Sequence, residues 1–187
     1  MNMRQGLALD IDETLAKTTH YWVERLQLEI GNPEGLSVDE AVRKYHLAEF
    51  VPYWQSEQAI ALMVEMAGSN EVQEGLPLIE SADTWALKVH AVIPIVAYIT
   101  MRPTSVMSGT HRWLRSNRFP DAPVFARPES IEFSQAPHWK GNLVHTLFPT
   151  VLGLVDDRPS VVEAFPSDYQ GTIFCMGKRL HHAMISA

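Results

Sequence analysis

At 187 residues, with 46% hydrophobic and 20% charged residues, the chain is long enough to bury one well-formed core, with room for a small accessory unit. No apolar run reaches the roughly 18 residues a membrane-spanning helix needs, and the short apolar stretch around Leu7 ends in acids, unlike a secretory leader. A net charge of −7 disfavours a sequence-independent grip on a nucleic-acid polymer, while a lone cysteine, Cys175, rules out an intramolecular disulfide and suits a reducing cytoplasm.

The first predicted element is a strand near residues 5–10, ending in Asp10-Ile11-Asp12-Glu13-Thr14. Two carboxylates at the carboxyl end of a strand sit where open α/β sheets bind ligands. Such a pair can hold magnesium, attack phosphorus or shuttle a proton. About 70 residues after Leu15 then read almost entirely as helix. Thr18 or Thr19 opens a helix carrying Tyr21, Trp22, Val23, Leu26 and Ile30, which stops near Gly31-Asn32-Pro33. Ser37-Val38-Asp39-Glu40 fits a capping box that opens a second helix toward Tyr45. A third is expected from about Pro52 to Ala67, with Gly68-Ser69-Asn70 as its stop, and a fourth from about Leu78 to Val89.

From there strand and helix alternate. Strands are expected near residues 94–99, 123–127, 151–156 and 171–175, with helices near 104–117, 138–147 and 159–165. That alternation implies a parallel sheet wrapped by helices. The run Ile95 to Ile99 ends in Thr100-Met101-Arg102-Pro103, and the run Val151 to Val155 ends in Asp156-Asp157-Arg158-Pro159. Between them Trp139-Lys140-Gly141-Asn142 places a lysine at the start of an apolar-periodic segment. Cys175 falls in the apolar run Thr172 to Met176 and reads as a buried core residue. His20, His111, His138, His145, His181 and His182 show no metal-ligand spacing with cysteine.

These residue types suit phosphoryl transfer. A phosphate monoester is a dianion, so a carboxylate nucleophile needs relief from repulsion. Magnesium held by Asp10 and by Asp156 or Asp157 would give that relief, and Lys140 would add a point charge. Thr100 would offer donors to the phosphoryl oxygens. Asp12 would protonate the leaving alkoxide, and the nearby Asp10 and phosphate should raise its pKa.

In these motifs and their order the chain resembles the haloacid dehalogenase superfamily of phosphohydrolases, over its whole length. The resemblance makes Asp10 the nucleophile, Asp12 the general acid/base, Thr100 the phosphoryl-binding hydroxyl and Lys140 the motif lysine. Asp156 and Asp157 complete a magnesium site, so Asp10, Asp12, Asp156 and Asp157 are the candidate metal ligands. Dehalogenases of the superfamily generally lack the second aspartate, so Asp12 points to phosphate chemistry. The resemblance also implies a Rossmann-like five-stranded parallel sheet in the order 3-2-1-4-5, sandwiched by helices. Residues 1–15 and 91–187 would form that core, and residues 16–90 a helical cap inserted after the first strand.

The Thr-Met-Arg-Pro and Asp-Asp-Arg-Pro forms look most like the 5′(3′)-deoxyribonucleotidases and their bacterial relatives. Glu13-Thr14 departs from their usual Gly-Val, and Met101 from their small hydroxyl residue. The expected substrate is a small phosphorylated metabolite, nucleoside monophosphates first, with no nucleic-acid polymer and no membrane as partner. Sugar or other small organic phosphates are the alternative, as is a catalytically silent ligand-binding protein. Tyr21, Trp22, Tyr53, Trp54 and Trp85 either pack the helical bundle or line its pocket. Arg25, Arg43 and Lys44 either meet a second anionic group or lie on solvated faces. Arg102 and Arg158 either tie loops together or touch substrate. Oligomeric state is not legible.

Overall fold

The computed structural model describes residues 5–176. Five strands form one all-parallel sheet: β1 (Gly6–Leu9), β2 (Ile95–Pro103), β3 (Val124–Arg127), β4 (Val151–Asp156) and β5 (Thr172–Cys175). Their order is β3-β2-β1-β4-β5, the expected 3-2-1-4-5. Every residue of β1 is buried, as a central parallel strand covered on both faces requires. Leu7 pairs with Ile95 on one side and Gly153 on the other, so β1 lies between β2 and β4. That neighbourhood brings the carboxyl ends of the three motif-bearing strands together.

Five helices separate β1 from β2: α1 (Thr18–Glu29), α2 (Val38–Tyr45), α3 (Glu57–Gly68), α4 (Asn70–Gly75) and α5 (Ala82–Val92). The first three enclose a hydrophobic cluster of their own around Val23, Leu26, Trp54, Leu62 and Met66. These helices lie between β1 and β2, in the stretch where the sequence leads one to expect a helical cap. The Ser37 capping box opens α2 as expected, with the Ser37 hydroxyl and the Glu40 carboxylate each accepting the other's backbone N–H.

The third predicted helix begins five residues late. Pro52–Trp54 forms a single 3₁₀ turn, and the Gln55 side chain donates to the carbonyls of Glu49 and Val51. Ser56 then caps a new start, its hydroxyl accepting the Ala59 N–H. Ser69 likewise caps the short α4 through the Val72 N–H, so the expected stop at residues 68–70 is also a start. The fourth predicted helix starts at Ala82, because Leu78 is drawn into a bridge with Ala16.

After the cap the chain returns to the sheet. Ala82 and Ala86 of α5 join Leu9, Ile11 and Tyr98 in the cluster on one face of the sheet. Helix α4 packs on α6 (Met107–Ser116), where Asn70 Oδ1 accepts the Ser108 hydroxyl and the Gly109 N–H, each at 2.7 Å. A Cβ at Gly109 would lie 2.2 Å from the Asn70 carbonyl oxygen, so only glycine permits this approach. Helices α7 (Ala136–Leu147) and α8 (Pro159–Glu163) follow among the described residues, with Val144 of α7 and Val161 of α8 covering the other face of the sheet. No helix among the described residues is long and apolar enough to cross a membrane.

Candidate active site

Asp10 leaves the end of β1 with its N–H donating to the Val155 carbonyl, which fixes it against β4. Its side chain is buried and meets Lys140, which α7 presents from below the sheet end. Lys140 is fully buried, with Nζ 2.5 Å from Asp10 Oδ1 and 2.6 Å from Asp156 Oδ2. An ammonium removed from water in this way is tolerable only because two carboxylates flank it. Burial acts to lower the lysine's pKa, but Asp10 and Asp156 outweigh it and hold the ammonium protonated. Burial raises the Asp10 carboxyl well above its usual range against the pull of Lys140, with Asp156, Asp157 and Asp12 adding to the rise.

Asp156 ends β4, and its Oδ1 accepts the Arg158 N–H at 2.8 Å. Asp157 follows in the turn, its carboxyl pushed up to about 7 by burial and by the charge of Asp156. One oxygen from each of Asp10, Asp156 and Asp157 lies within 4.8 Å of the others. Asp157 Oδ1 is buried with no hydrogen-bond donor. An all-carboxylate donor set with an unsatisfied buried oxygen fits a hard divalent cation, so these three residues could hold one.

The carboxylate of Asp12 is not brought into that group. It faces Arg102 at the end of β2, whose Nη2 donates to Oδ1 at 2.7 Å and whose Nε donates to Oδ2 at 3.0 Å. The Thr18 hydroxyl donates to the same carboxylate, and the Thr100 hydroxyl reaches it at 3.4 Å. Burial alone would raise Asp12, but the guanidinium and these hydrogen bonds outweigh it and hold the carboxyl below its ordinary value. The rise anticipated from neighbouring Asp10 is therefore reversed, because Arg102 bonds both oxygens of Asp12. Arg102 is itself buried and also donates to Thr110 Oγ1. Of the two readings left open for it, loop tie or ligand contact, neither anticipates this grip on Asp12. The available signal is position: the arginine lies two residues beyond Thr100, on a strand end facing the second aspartate.

Thr100 is fully buried, and its hydroxyl accepts the Arg102 N–H at 3.2 Å. Glu13 occupies the left-handed region, with φ 56°, and its carboxylate accepts the Thr19 N–H in the first turn of α1. A glutamate here thus combines a turn that favours glycine with an anion at a helix N-terminus. Cys175 is half-buried rather than in the core, with its thiol facing the Asp157 carbonyl at the sheet edge.

Above these acids lies a cleft of about 610 Å³ between the cap and the sheet ends. Asp10, Asp12 and Glu13 form its floor, Trp22 and Met63 line the cap side, and Met101 and Phe133 line the other. The aromatic residues divide accordingly. Trp54 fills the cap core, with its indole N–H donating to the Gly31 carbonyl. Tyr53 packs beside it, Trp85 packs on the sheet cluster and Tyr21 touches both clusters. Trp22 alone of the three candidate tryptophans lines the cleft. Arg25 pairs with Glu29 and Lys44 with Glu34, and neither these nor Arg43 reach the cleft. Its cations are Arg102, Arg127 and Arg158, the last stacked over the Phe133 ring at 5.5 Å. His20 and His145 face Asp39 and Asp168. His181 and His182 lie outside the described residues.

No protein-family model and no curated protein matches the chain. It is similar in fold to a chain of the solved "Structure of Pnkp1/Rnl/Hen1 complex", with a TM-score of 0.50 and 12% identity. The alignment covers 94% of this chain and 46% of the other, so this chain spans about half the length of that one. At that identity the likeness speaks to the fold alone.

Proposed function

We propose that the chain is a magnesium-dependent phosphomonoesterase of the haloacid dehalogenase type, working in the cytoplasm on a small phosphorylated metabolite. Nucleoside monophosphates are the first candidates. The observation that carries this reading is the division of labour between the two aspartates: Asp10 sits among Lys140, Asp156 and Asp157, whereas Asp12 is held apart by Arg102. One carboxylate thus lies among acids that could hold a cation, while the other is kept apart from them on the floor of the cleft.

In this reading Asp10, Asp156 and Asp157 would hold a magnesium ion, which would supply positive charge against the phosphate dianion. Lys140 keeps Asp10 oriented and offsets its charge. An Asp10 oxygen forms a bond to phosphorus as the bond to the leaving oxygen breaks, giving an aspartyl-phosphate. Asp12 delivers its proton to that leaving oxygen, then accepts one from the water that hydrolyses the intermediate. Because Arg102 favours the ionised form of Asp12, proton uptake requires the guanidinium to loosen its grip. The incoming phosphate is the anion that competes for it. The cap lies over the cleft and limits water at the reacting centre.

The test is phosphate release by the purified protein, with magnesium and with chelator, across nucleoside monophosphates and sugar phosphates. Magnesium-dependent release that vanishes in Asp10→Asn is the expected result. Release that survives this substitution would come from a contaminant, and release indifferent to chelator would remove the metal from the mechanism.

A further inference from the structure

Helix α3 carries apolar residues on more of its circumference than the cap core uses. Ala59, Leu62 and Met66 face that core and are buried. Ile60, Met63, Val64 and Ala67 form a second stripe at the i, i+3, i+4, i+7 spacing, and all four line the cleft. Ile60 is 47% and Val64 67% exposed. A solvated helix face would carry charge here, as Glu57 and Glu65 do elsewhere on α3. Met101 and Phe133 face the same space from the sheet side.

Several polar groups of the cleft wall are already engaged by the protein, while the Trp22 indole N–H and Gln73 Oε1 are buried without a partner. Thr18 donates to Asp12, the Gln55 amide to two carbonyls and the Gln73 amide to the Met66 carbonyl. A site that selects a polyol needs convergent donors and acceptors left available for its hydroxyls. The α3 side of this cleft offers methyl, methylene and thioether groups instead.

We infer that the leaving group is apolar at its far end, a ring or hydrocarbon chain that lies along the second stripe of α3, and not a polyhydroxylated sugar. This rests on the phosphomonoesterase reading and narrows it to a substrate class. Ile60 and Val64 become specificity-determining residues, in van der Waals reach of the substrate but remote from the acids.

The experiment uses ethyl, butyl and hexyl phosphate with glycerol 3-phosphate, in the presence of magnesium. The three alkyl esters share a primary alkoxide leaving group, so intrinsic reactivity is nearly constant along the series. The expected result is a rise in kcat/KM of about fourfold per added methylene, the factor for moving a methylene out of water, and a preference for butyl over glycerol phosphate. In Ile60→Asn and Val64→Asn, with folding checked by melting temperature, the hexyl-to-ethyl ratio should fall about tenfold. Turnover that is flat along the series, that favours glycerol phosphate, or whose ratio ignores both substitutions overturns this inference and leaves the phosphatase reading intact. No phosphate release from any of the four esters, nor from the nucleotide and sugar phosphate panel, overturns both.

Discussion

Arg102 holds Asp12 by both carboxylate oxygens, with Nη2 2.7 Å from Oδ1 and Nε 3.0 Å from Oδ2. The pair is largely withdrawn from water on the arginine side, whose side chain is 4% exposed. Removing one member of such a pair strands the other, whereas replacing both relieves the cost. Arg102→Met should therefore destabilise the protein by about 3 kcal/mol, and the Asp12→Asn, Arg102→Met double variant by clearly less than the sum of the singles. Urea unfolding of the four proteins measures the coupling. Additive losses would mean that the two side chains do not sense each other in solution.

Lys140 presents a different case, because it neutralises two buried carboxylates at once. Its full burial means that Lys140→Met cannot be a purely catalytic lesion. The metal-free variant should lose stability, by about 3 kcal/mol or more, and should regain more of it on adding magnesium than the wild type does. The ion would supply the positive charge that the ammonium no longer provides, and ligand-linked stabilisation rises with affinity. Thermal melts with magnesium and with chelator make the comparison. An equal magnesium shift in both proteins would place the cation away from the Lys140 cluster.

Much of this arrangement was legible before the structure, for a physical reason. Strands of a parallel sheet are buried on both faces, so β1, β2 and β4 read as continuous apolar runs. The polar residues that end such runs must lie at one rim of the sheet. Asp10, Thr100 and Asp156 were thereby located by strand ends alone. The partner chosen by each side chain was not, since nothing in a linear motif says that Asp12 turns toward Arg102 while Asp10 turns toward Lys140. Serines 56 and 69 escaped for another reason: each side chain accepts an N–H that begins a new helix, so a segment reading as continuous helix or as a stop is divided. The sorting of Trp22 from Trp54 depended on which face of the cap met the sheet, a tertiary fact.

Asp157 gives the metal-free protein a pH dependence. Burial and Asp156 raise its carboxyl from 3.8 to about 7 in the folded state. The native protein therefore holds a proton there that the unfolded chain releases, and this group favours folding below about pH 4 and ceases to do so as pH rises through 7. Metal-free melting temperature should decline between those values, with a shallower decline in Asp157→Asn. Magnesium affinity should increase over the same interval, because the cation competes with the proton. Identical pH profiles for the two proteins would show that Asp157 titrates normally. The Asp12 contribution has the opposite sign. Its depressed carboxyl stabilises the fold above the ordinary aspartate range and loses that effect only as pH falls through the folded value.

The cap tryptophans separate packing from recognition. Trp54 is fully buried and anchors its indole N–H on the Gly31 carbonyl, so Trp54→Ala opens a cavity in the α1–α3 cluster and should cost about 3–5 kcal/mol. Trp22 is half-buried on the cleft wall, and Trp22→Ala should cost less stability while changing relative kcat/KM among phosphate esters that differ only in the leaving group. Trp85, packed beside Ala82 and Ala86 on the sheet cluster, should behave as Trp54 does and leave preference unchanged. Denaturation midpoints and a four-ester competition assay on the three variants decide the matter. If Trp22→Ala lowers turnover of every ester by one common factor, the indole supports the shape of the cap and does not touch the leaving group.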